Sequence, residues 1–161
     1  MESSKTAFPP IVNTASKILL LGTMPGERSL FLKQYYGHGS NQFWRIMFNI
    51  YETPFSNDYE VRKQLLYNNN IALWDVLESC ESIGSADDAI KNEKANDFKL
   101  FYQKYPAIKK VYFTSKAAEK YYDRYVLKSP DKSYFVLPSP SRANTWKSFE
   151  EKLQEWNIII H

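Results

Sequence analysis

Two short segments, far apart along the chain, carry the residues that could do chemistry. The first is a G-T-M-P-G turn at residues 22–26, which follows an apolar run and leads into Y-Y-G-H-G-S-N-Q-F-W at residues 35–44. The second is P-S-P-S-R-A-N at residues 138–144, again after an apolar run. A strand that ends in a Gly/Pro turn brings backbone amides and side chains to one edge of a sheet, where α/β proteins bind ligands. The two turns therefore predict one shared pocket.

The residues of the second segment are suited to an anionic ligand. Ser139 and Ser141, each beside Pro140, can present hydroxyls and amides to phosphate oxygens, and Arg142 adds a positive charge. The alternative is a loop stiffened by proline with a solvated arginine. Both interpretations stay open from the local sequence.

The first turn does not match the common nucleotide-binding motifs. A dinucleotide site needs a second turn glycine at a fixed spacing and an acidic residue that binds the ribose, and both are missing here. The turn also lacks the Gly-Lys-Ser/Thr end of a P-loop. Nicotinamide and nucleoside triphosphate chemistry are therefore disfavoured. The simpler alternative is a tight turn at the exit of a strand.

Composition limits the function classes further. The 161 residues predict a single domain over 1–161, and a formal charge of +3 permits nucleic-acid binding without requiring it. Aromatic residues make up 16% of the chain, which suits the stacking of flat rings. Cys80 is the single cysteine, and with His38 and His161 it forms no recognisable zinc spacing. We expect no metal and no organic cofactor.

The N-terminal residues 1–10 lack the basic start and apolar centre of a signal peptide. No run approaches the roughly 18 apolar residues of a membrane span. These patterns predict a cytoplasmic protein without a membrane partner.

The spacing of apolar residues predicts the elements that position the two segments. Four short runs read as buried strands, at residues 17–21, 70–74, 109–114 and 134–137. Between them the period changes to that of helices, with apolar faces formed by Phe43, Met47, Ile50 and Tyr51, by Val61, Leu65 and Leu66, by Ala118, Tyr121, Tyr122 and Tyr125, and by Trp146, Phe149, Leu153 and Trp156. Ser115 is expected to cap the third of these helices.

This alternation predicts an α/β fold of three layers, α/β/α, around a central four-stranded parallel sheet. Right-handed crossovers would place all strand ends along one edge, so that the two turns converge there. The polar stretch at residues 78–97 is expected to be an excursion on the surface.

Four motifs follow one another along the chain: G-T-M-P-G after a strand, Y-Y-G-H-G-S-N-Q-F-W opening a helix, I-A-L-W-D-V-L at the second strand, and L-P-S-P-S-R-A-N. Together they resemble the motifs of the uracil-DNA glycosylase superfamily. The most similar branch is that of the hypoxanthine-DNA (deoxyinosine) glycosylases. The resemblance extends from residue 18 to the last helix, and N-Q-F-W is its most specific part. It implies a uracil-DNA glycosylase-like fold and an enzyme that hydrolyses the bond between a damaged base and deoxyribose after flipping the nucleotide out of the duplex.

The resemblance also implies roles for residues of the first segment. In better-known members an Asp or Asn at the place of Met24 positions the water, and for this branch the resemblance assigns that task to Asn41. A carboxamide can orient water by accepting a hydrogen bond, although Asn41 before Gln-Phe-Trp also suits a helix cap. Tyr36 falls where related enzymes stack a ring on the extruded base, or else it simply covers the sheet edge.

Further residues are implied in contacts with base and DNA. The backbone of Gly22, Thr23 and Met24 would read polar base edges, and Asp75 is a further base-binding candidate that could instead cap a turn. In the second segment, Ser139, Pro140, Ser141 and Arg142 would bind DNA, with Arg142 able to fill the gap left by the lifted base.

The chain departs from the branch near Asn41. Many members have H-P-R-N and L-P-S-T-S-P-A-N, whereas this chain has H-G-S-N and L-P-S-P-S-R-A-N. The loop before Asn41 thus loses a proline and an arginine, and Arg142 is gained in the second segment. These changes bear on DNA affinity and substrate choice rather than on the class of reaction.

Together with the resemblance, the residues predict a monomeric, monofunctional glycosylase that excises deaminated bases from DNA and initiates base excision repair. Hypoxanthine is the first expected substrate, and uracil in mismatches is the competing one. No lysine is placed to act as a nucleophile, so strand cleavage is not expected. The alternatives are a mismatch-specific uracil/thymine-DNA glycosylase, a non-catalytic DNA-binding relative, and a small hydrolase of free nucleosides or nucleotides.

Overall fold

A parallel sheet of four strands forms the centre of the protein. The computed structural model describes residues 3–82 and 89–160. The strand order is β3-β2-β6-β7, with β2 at Ile18–Gly22, β3 at Ile71–Asp75, β6 at Lys110–Phe113 and β7 at Ser133–Val136. All three pairings are parallel, and the register aligns Gly22 with Asp75 and Phe113 with Val136. The four predicted strands and their parallel arrangement are confirmed, and their carboxyl ends share one edge.

Helices cover both faces of this sheet. One apolar cluster packs Leu20, Leu73 and Tyr112 against α2, α3 and α6, at Phe43–Ile50, Tyr59–Asn68 and Phe149–Trp156. The other packs Leu19, Leu21 and Phe113 against α4 and α5, at Phe98–Lys104 and Lys116–Tyr125. Neighbouring residues of a strand point to opposite faces, so the sheet contributes side chains to two separate cores. The predicted three-layer α/β/α architecture is confirmed.

The helix boundaries follow from capping side chains. The Ser115 hydroxyl accepts a hydrogen bond from the amide of Ala118 at 3.1 Å, as the sequence predicts, and Asp58 caps α3 in the same way. Two residues predicted to face inward are exposed instead: Val61 by 44% and Tyr125 by 45%. Both lie at the margin of a helical face, where a small rotation changes burial.

The last helix begins later than its apolar spacing predicts. Ser148 and Glu151 form a reciprocal capping box that sets the start of α6 at Phe149. Trp146 therefore lies before the helix with 93% of its surface exposed, whereas Trp156 is fully buried. The assignment of Trp146 to the buried stripe is wrong, because a cap overrides the periodic pattern.

A second sheet occupies part of the stretch expected to be a surface excursion. It is antiparallel, with β4 (Leu77–Ser82) between β1 (Ser3–Thr6) and β5 (Lys91–Ala95). Polar residues dominate β4 and β5, so only one face gives an apolar signal. The rest of that expectation, at residues 83–88, lies outside the described residues.

A short helix, α1, spans Glu27–Leu32, and a 3₁₀ turn spans Asn157–Ile160. Within the described parts of the chain, no helix is both long and apolar enough to cross a bilayer.

Candidate active site

A cavity of about 660 Å³ opens at the carboxyl edge of the parallel sheet. It lies where β2, β3 and β6 end, and the loop after β7 closes its far side. Every residue that the sequence singles out lines this cavity: Gly22, Thr23, Met24, Tyr36, Asn41, Asp75, Ser139, Pro140, Ser141 and Arg142. The topology thus brings the two distant segments to one place, as the strand ends predict.

Hydrogen bonds join the two segments directly. The amide of Gln42 donates to the carbonyl of Pro140 at 2.8 Å. The ammonium group of Lys152, on α6, donates to the side-chain oxygen of Gln42 at 2.7 Å and to the carbonyl of Ser141 at 3.2 Å. One lysine therefore fastens the residue after Asn41 to the loop at residues 138–144, which we call the serine loop.

Lys152 is unusual because only 2% of its surface is exposed. Lysine is rarely buried unless its charge is compensated. Burial lowers the pKa of Lys152, and the positive charge of Arg142 acts in the same direction. Sequence reasoning missed this residue, although a signal existed: Phe149, Lys152 and Trp156 share the buried face of α6, at spacings of three and four residues.

The side chain of Asn41 is held in a fixed orientation. Its side-chain carbonyl oxygen accepts a hydrogen bond from the backbone amide of Phe43 at 2.9 Å, and the backbone amide of Asn41 donates to the carbonyl of His38 at 3.0 Å. The N-cap of α2 is Gln42, so the contact with Phe43 is an Asx turn that precedes the helix, rather than the cap that the sequence left as an alternative. A carbonyl oxygen has a second lone pair, so this contact fixes the carboxamide and still leaves an acceptor for water.

Tyr36 forms a flat wall of the cavity. Its ring stacks on Phe43 with centroids 4.1 Å apart and an angle of 15°, and its hydroxyl lies 2.8 Å from that of Thr114. The backbone has φ of 52°, a left-handed value that non-glycine residues seldom adopt. The neighbouring Tyr35 is instead 3% exposed and donates to the carbonyl of Pro9, so it supports the fold.

Gly22 allows the floor of the cavity to close. A Cβ atom at this position would lie 2.7 Å from a carboxylate oxygen of Asp75 and 3.0 Å from the hydroxyl of Tyr36. Asp75 is 5% exposed, and its backbone carbonyl accepts from the side chain of Asn96. The absence of a side chain at Gly22 is what lets these two polar groups lie so close to its backbone.

Comparison with known proteins identifies the family. The model of the uracil DNA glycosylase superfamily matches residues 9–159. The chain belongs to this superfamily. Membership confirms the resemblance read from the four motifs and makes the protein a DNA glycosylase, an enzyme whose substrate is DNA.

Individual relatives agree with this assignment over almost their whole length. The chain is 35% identical to the hypoxanthine DNA glycosylase of Methanosarcina barkeri, covering 94% of this chain and 95% of that protein. It is 33% identical to the hypoxanthine DNA glycosylase of Methanosarcina acetivorans, covering 97% and 98%. A solution NMR structure of a candidate uracil DNA glycosylase from Methanosarcina acetivorans superposes with a TM-score of 0.85 at 31% identity, covering 98% and 96%.

The serine loop of this glycosylase is organised by its own hydroxyls. The amide of Ser141 donates to the oxygen of Ser139 at 3.2 Å, and the amide of Ala143 donates to the oxygen of Ser141 at 3.1 Å. Because each hydroxyl oxygen accepts, each O–H bond can still donate to an acceptor in the cavity. The next helix, α6, begins only at Phe149, and its first amides are satisfied by its own capping box.

The glycosylase cavity also includes polar residues that sequence reasoning missed. Thr114 and Ser115 follow β6, and Arg28 comes from α1, with its guanidinium 5.4 Å from the ring of Phe31. The sequence did offer a signal for Thr114 and Ser115, because the third strand was predicted to end at Thr114 and strand ends collect at the cavity edge. In residues 3–82 and 89–160, no three His, Cys, Asp or Glu side chains meet in a group that could hold a metal.

Proposed function

We propose that the protein is a monofunctional DNA glycosylase that excises deaminated bases, hypoxanthine first, and so initiates base excision repair. The observation that carries the proposal is that Asn41, the Tyr36 ring and the loop of Ser139–Arg142 surround one cavity at the carboxyl edge of the sheet. The two relatives named hypoxanthine DNA glycosylase support the choice of substrate.

The damaged nucleotide rotates out of the duplex and its base enters the cavity. Phe43 covers one face of the Tyr36 ring and holds the ring in place. The other face of Tyr36 is the platform on which the base stacks. Stacking of this kind contributes about 1–3 kcal/mol per base. Backbone amides of Gly22–Met24 and the carboxylate of Asp75 then read the polar edge of the base.

The reaction breaks the bond between the base nitrogen and C1′ of the sugar, the oxygen of a water forms the new bond to C1′, and the proton that the water loses neutralises the departing base. As the base leaves with the bonding electrons, the sugar gains positive charge, so the site must aim water at it and support charge on the base. Asn41 orients the water through its free lone pair. Its carboxamide does not act as a base, because it has no useful affinity for a proton.

The serine loop holds the DNA strand beside the flipped nucleotide. The O–H groups of Ser139 and Ser141 donate to phosphate oxygens, and Arg142 supplies positive charge or fills the gap in the duplex. In the described chain no lysine lines the cavity, and the ammonium group of Lys152 is occupied by Gln42 and Ser141. Hydrolysis without strand cleavage follows, because cleavage would require an amine nucleophile.

Hypoxanthine and uracil present the same carbonyl and adjacent ring N–H, so hydrogen bonds alone separate them weakly. The size of the base is the stronger discriminator, and a cavity of about 660 Å³ admits the bicyclic purine. We therefore rank hypoxanthine above uracil.

The decisive experiment uses single- and double-stranded oligonucleotides that carry hypoxanthine, uracil or thymine opposite each normal base, followed by alkaline cleavage at abasic sites. The proposal expects release of hypoxanthine at the highest single-turnover rate and no cleavage before alkali. Preference for uracil or thymine in G mismatches would instead support a mismatch-specific enzyme. Tight binding of abasic DNA with no base release would support a non-catalytic relative.

A further inference from the structure

A second pocket of about 190 Å³ adjoins the candidate active site, and the two share Tyr36, His38 and Asn41. We propose that this pocket binds a phosphate group of the DNA backbone through Arg45 and Arg62, an inference that rests on the proposed action on DNA. We refer to it as the arginine pocket. It lies on a different part of the chain from the serine loop, so it would hold a different phosphate.

The charge in the arginine pocket is uncompensated by acidic side chains. Arg45 and Arg62 line it, and no Asp or Glu of the described chain does. Neither arginine takes part in the ion pairs found among residues 3–82 and 89–160. The two acidic residues that precede Arg62 in the sequence have other partners: Asp58 caps α3, and Glu60 pairs with Lys63 at 2.9 Å.

Arg62 is fixed before any ligand arrives. Its Nε donates to the carbonyl of Ser56 at 2.8 Å and its Nη2 to the side-chain oxygen of Asn57 at 3.1 Å. The guanidinium carbon also lies 5.6 Å from the centre of the Trp44 ring and 5.3 Å from that of Phe55. A guanidinium has five N–H groups, so this arrangement orients the side chain and leaves further donors for an anion.

Electrostatics favour an anion at this position. Partial burial lowers the pKa of Arg62, Tyr59 acts in the opposite direction, and the positive charge of Arg45 lowers it further. The guanidinium remains charged near neutral pH, so the two arginines repel each other in the free protein. A bound anion would offset this repulsion and form charge-assisted hydrogen bonds.

The DNA phosphodiester is the anion that the position selects. Asn41 contributes to the walls of both pockets, so a strand whose nucleotide enters the cavity passes over the loop of residues 36–41. Phosphates recur at every nucleotide of that strand. One held by the serine loop therefore brings others across the rim toward the arginine pocket.

The test measures how DNA affinity depends on salt. Wild type and Arg45→Ala are titrated with a duplex that contains a non-hydrolysable abasic analogue, at several NaCl concentrations. Each lost phosphate contact should reduce the slope of log K against log[salt] by about 0.9. We expect that reduction in Arg45→Ala, with affinity about 5- to 10-fold weaker at low salt, and a slope close to wild type in Arg45→Lys.

Lys104→Ala provides the matched control for loss of one positive charge. Lys104 is exposed at the end of α4 and precedes β6, so it lies toward the opposite edge of the sheet. Its removal should leave the slope unchanged. An equal slope in wild type and Arg45→Ala would overturn the inference, as would an equal loss in Lys104→Ala.

A titration with inorganic phosphate separates DNA from a free phosphate ligand. If wild type binds phosphate, Arg45→Ala does not, and their DNA slopes are equal, the pocket serves a free anion and the inference is wrong. The measurement needs no base release, so a protein that binds DNA in this way without excising hypoxanthine would refute the proposed function alone. A wild type that does not bind DNA would refute both.

Discussion

The ammonium nitrogen of Lys152 lies 2.7 Å from the side-chain oxygen of Gln42, although 110 residues separate the two along the chain. The same nitrogen contacts the carbonyl of Ser141. The residue next to the proposed water-orienting Asn41 is thereby held to the loop proposed to grip the phosphate. Misplacement by about 1 Å can lower an enzymatic rate roughly 100-fold, so a contact of this kind can govern catalysis without touching the substrate.

Replacement of Lys152 by Met should slow base release strongly and lower the free energy of unfolding only slightly. The change removes a desolvated charge, which offsets part of the cost of leaving the Gln42 oxygen and the Ser141 carbonyl without this donor. We expect the free energy of unfolding to fall by less than about 2 kcal/mol, and the single-turnover rate at saturating DNA to fall at least about 10-fold. Urea unfolding and rapid-quench assays measure the two quantities.

Lys147→Met is the matched control, because Lys147 precedes the same helix but pairs with Glu155 at the surface. It should change neither quantity appreciably. A Lys152→Met enzyme with a wild-type rate would show that the bridge is structural only.

Asn41 can be tested so that its turn contact with Phe43 and its proposed role in orienting water are separated. A serine hydroxyl can accept the same kind of turn bond as Asn, but it does not reach the place of the carboxamide oxygen. Asn41→Ser should therefore retain stability within about 1 kcal/mol and lose about 100-fold or more in the single-turnover rate. Asn41→Asp keeps an oxygen in place and should retain more activity than Asn41→Ser. Full activity in Asn41→Ser would remove Asn41 from the mechanism.

Much of the central sheet could be predicted because buried parallel strands are short apolar runs that end in turn residues. The runs ending near Gly22 and before Pro138 both had this form, and both ends lie at the cavity. The position of most candidate site residues followed, because parallel topology collects strand ends at one edge.

The remainder escaped the sequence for physical reasons. Strands β4 and β5 have one polar face and few large apolar residues, so their alternation is weak. Trp146 matched a helical stripe, but the capping box at Ser148 and Glu151 starts the helix after it. Lys152 falls on the apolar face of α6, but the two oxygens that compensate its charge come from residues 42 and 141, so the local sequence does not show why a lysine is buried there.

Gly22→Ala should disturb the floor of the cavity. The added methyl group would lie 2.7 Å from the carboxylate of Asp75, closer than real Cβ contacts allow, and 3.0 Å from the hydroxyl of Tyr36, which is tighter than most. Overpacking of this kind costs about 1–3 kcal/mol and displaces the groups proposed to hold the base. We expect that loss in the free energy of unfolding, together with weaker binding of hypoxanthine-containing DNA, measured by urea unfolding and fluorescence anisotropy.

Gly39→Ala is the control for stability, because a Cβ at Gly39 meets no atom within 4 Å. Its free energy of unfolding should match wild type within about 0.5 kcal/mol. Equal stability of the two alanine variants would mean that the floor of the cavity can relax around a methyl group.

Trp146 provides an optical test of where DNA contacts the protein. It is 93% exposed and lies two residues beyond Asn144, which lines the cavity, whereas Trp44, Trp74 and Trp156 are all buried. Trp44 lines the arginine pocket, so a change in tryptophan emission on binding DNA is assigned to Trp146 by comparison with Trp146→Phe. If the serine loop grips the strand, an abasic-analogue duplex should reduce this emission, since bases that stack on or approach an indole quench it. Trp146→Phe should abolish the change while the protein still binds DNA.

An unaltered wild-type spectrum at saturating DNA, or the same decrease in Trp146→Phe, would place the DNA away from this loop, because the one exposed indole of the described chain would then have stayed in water.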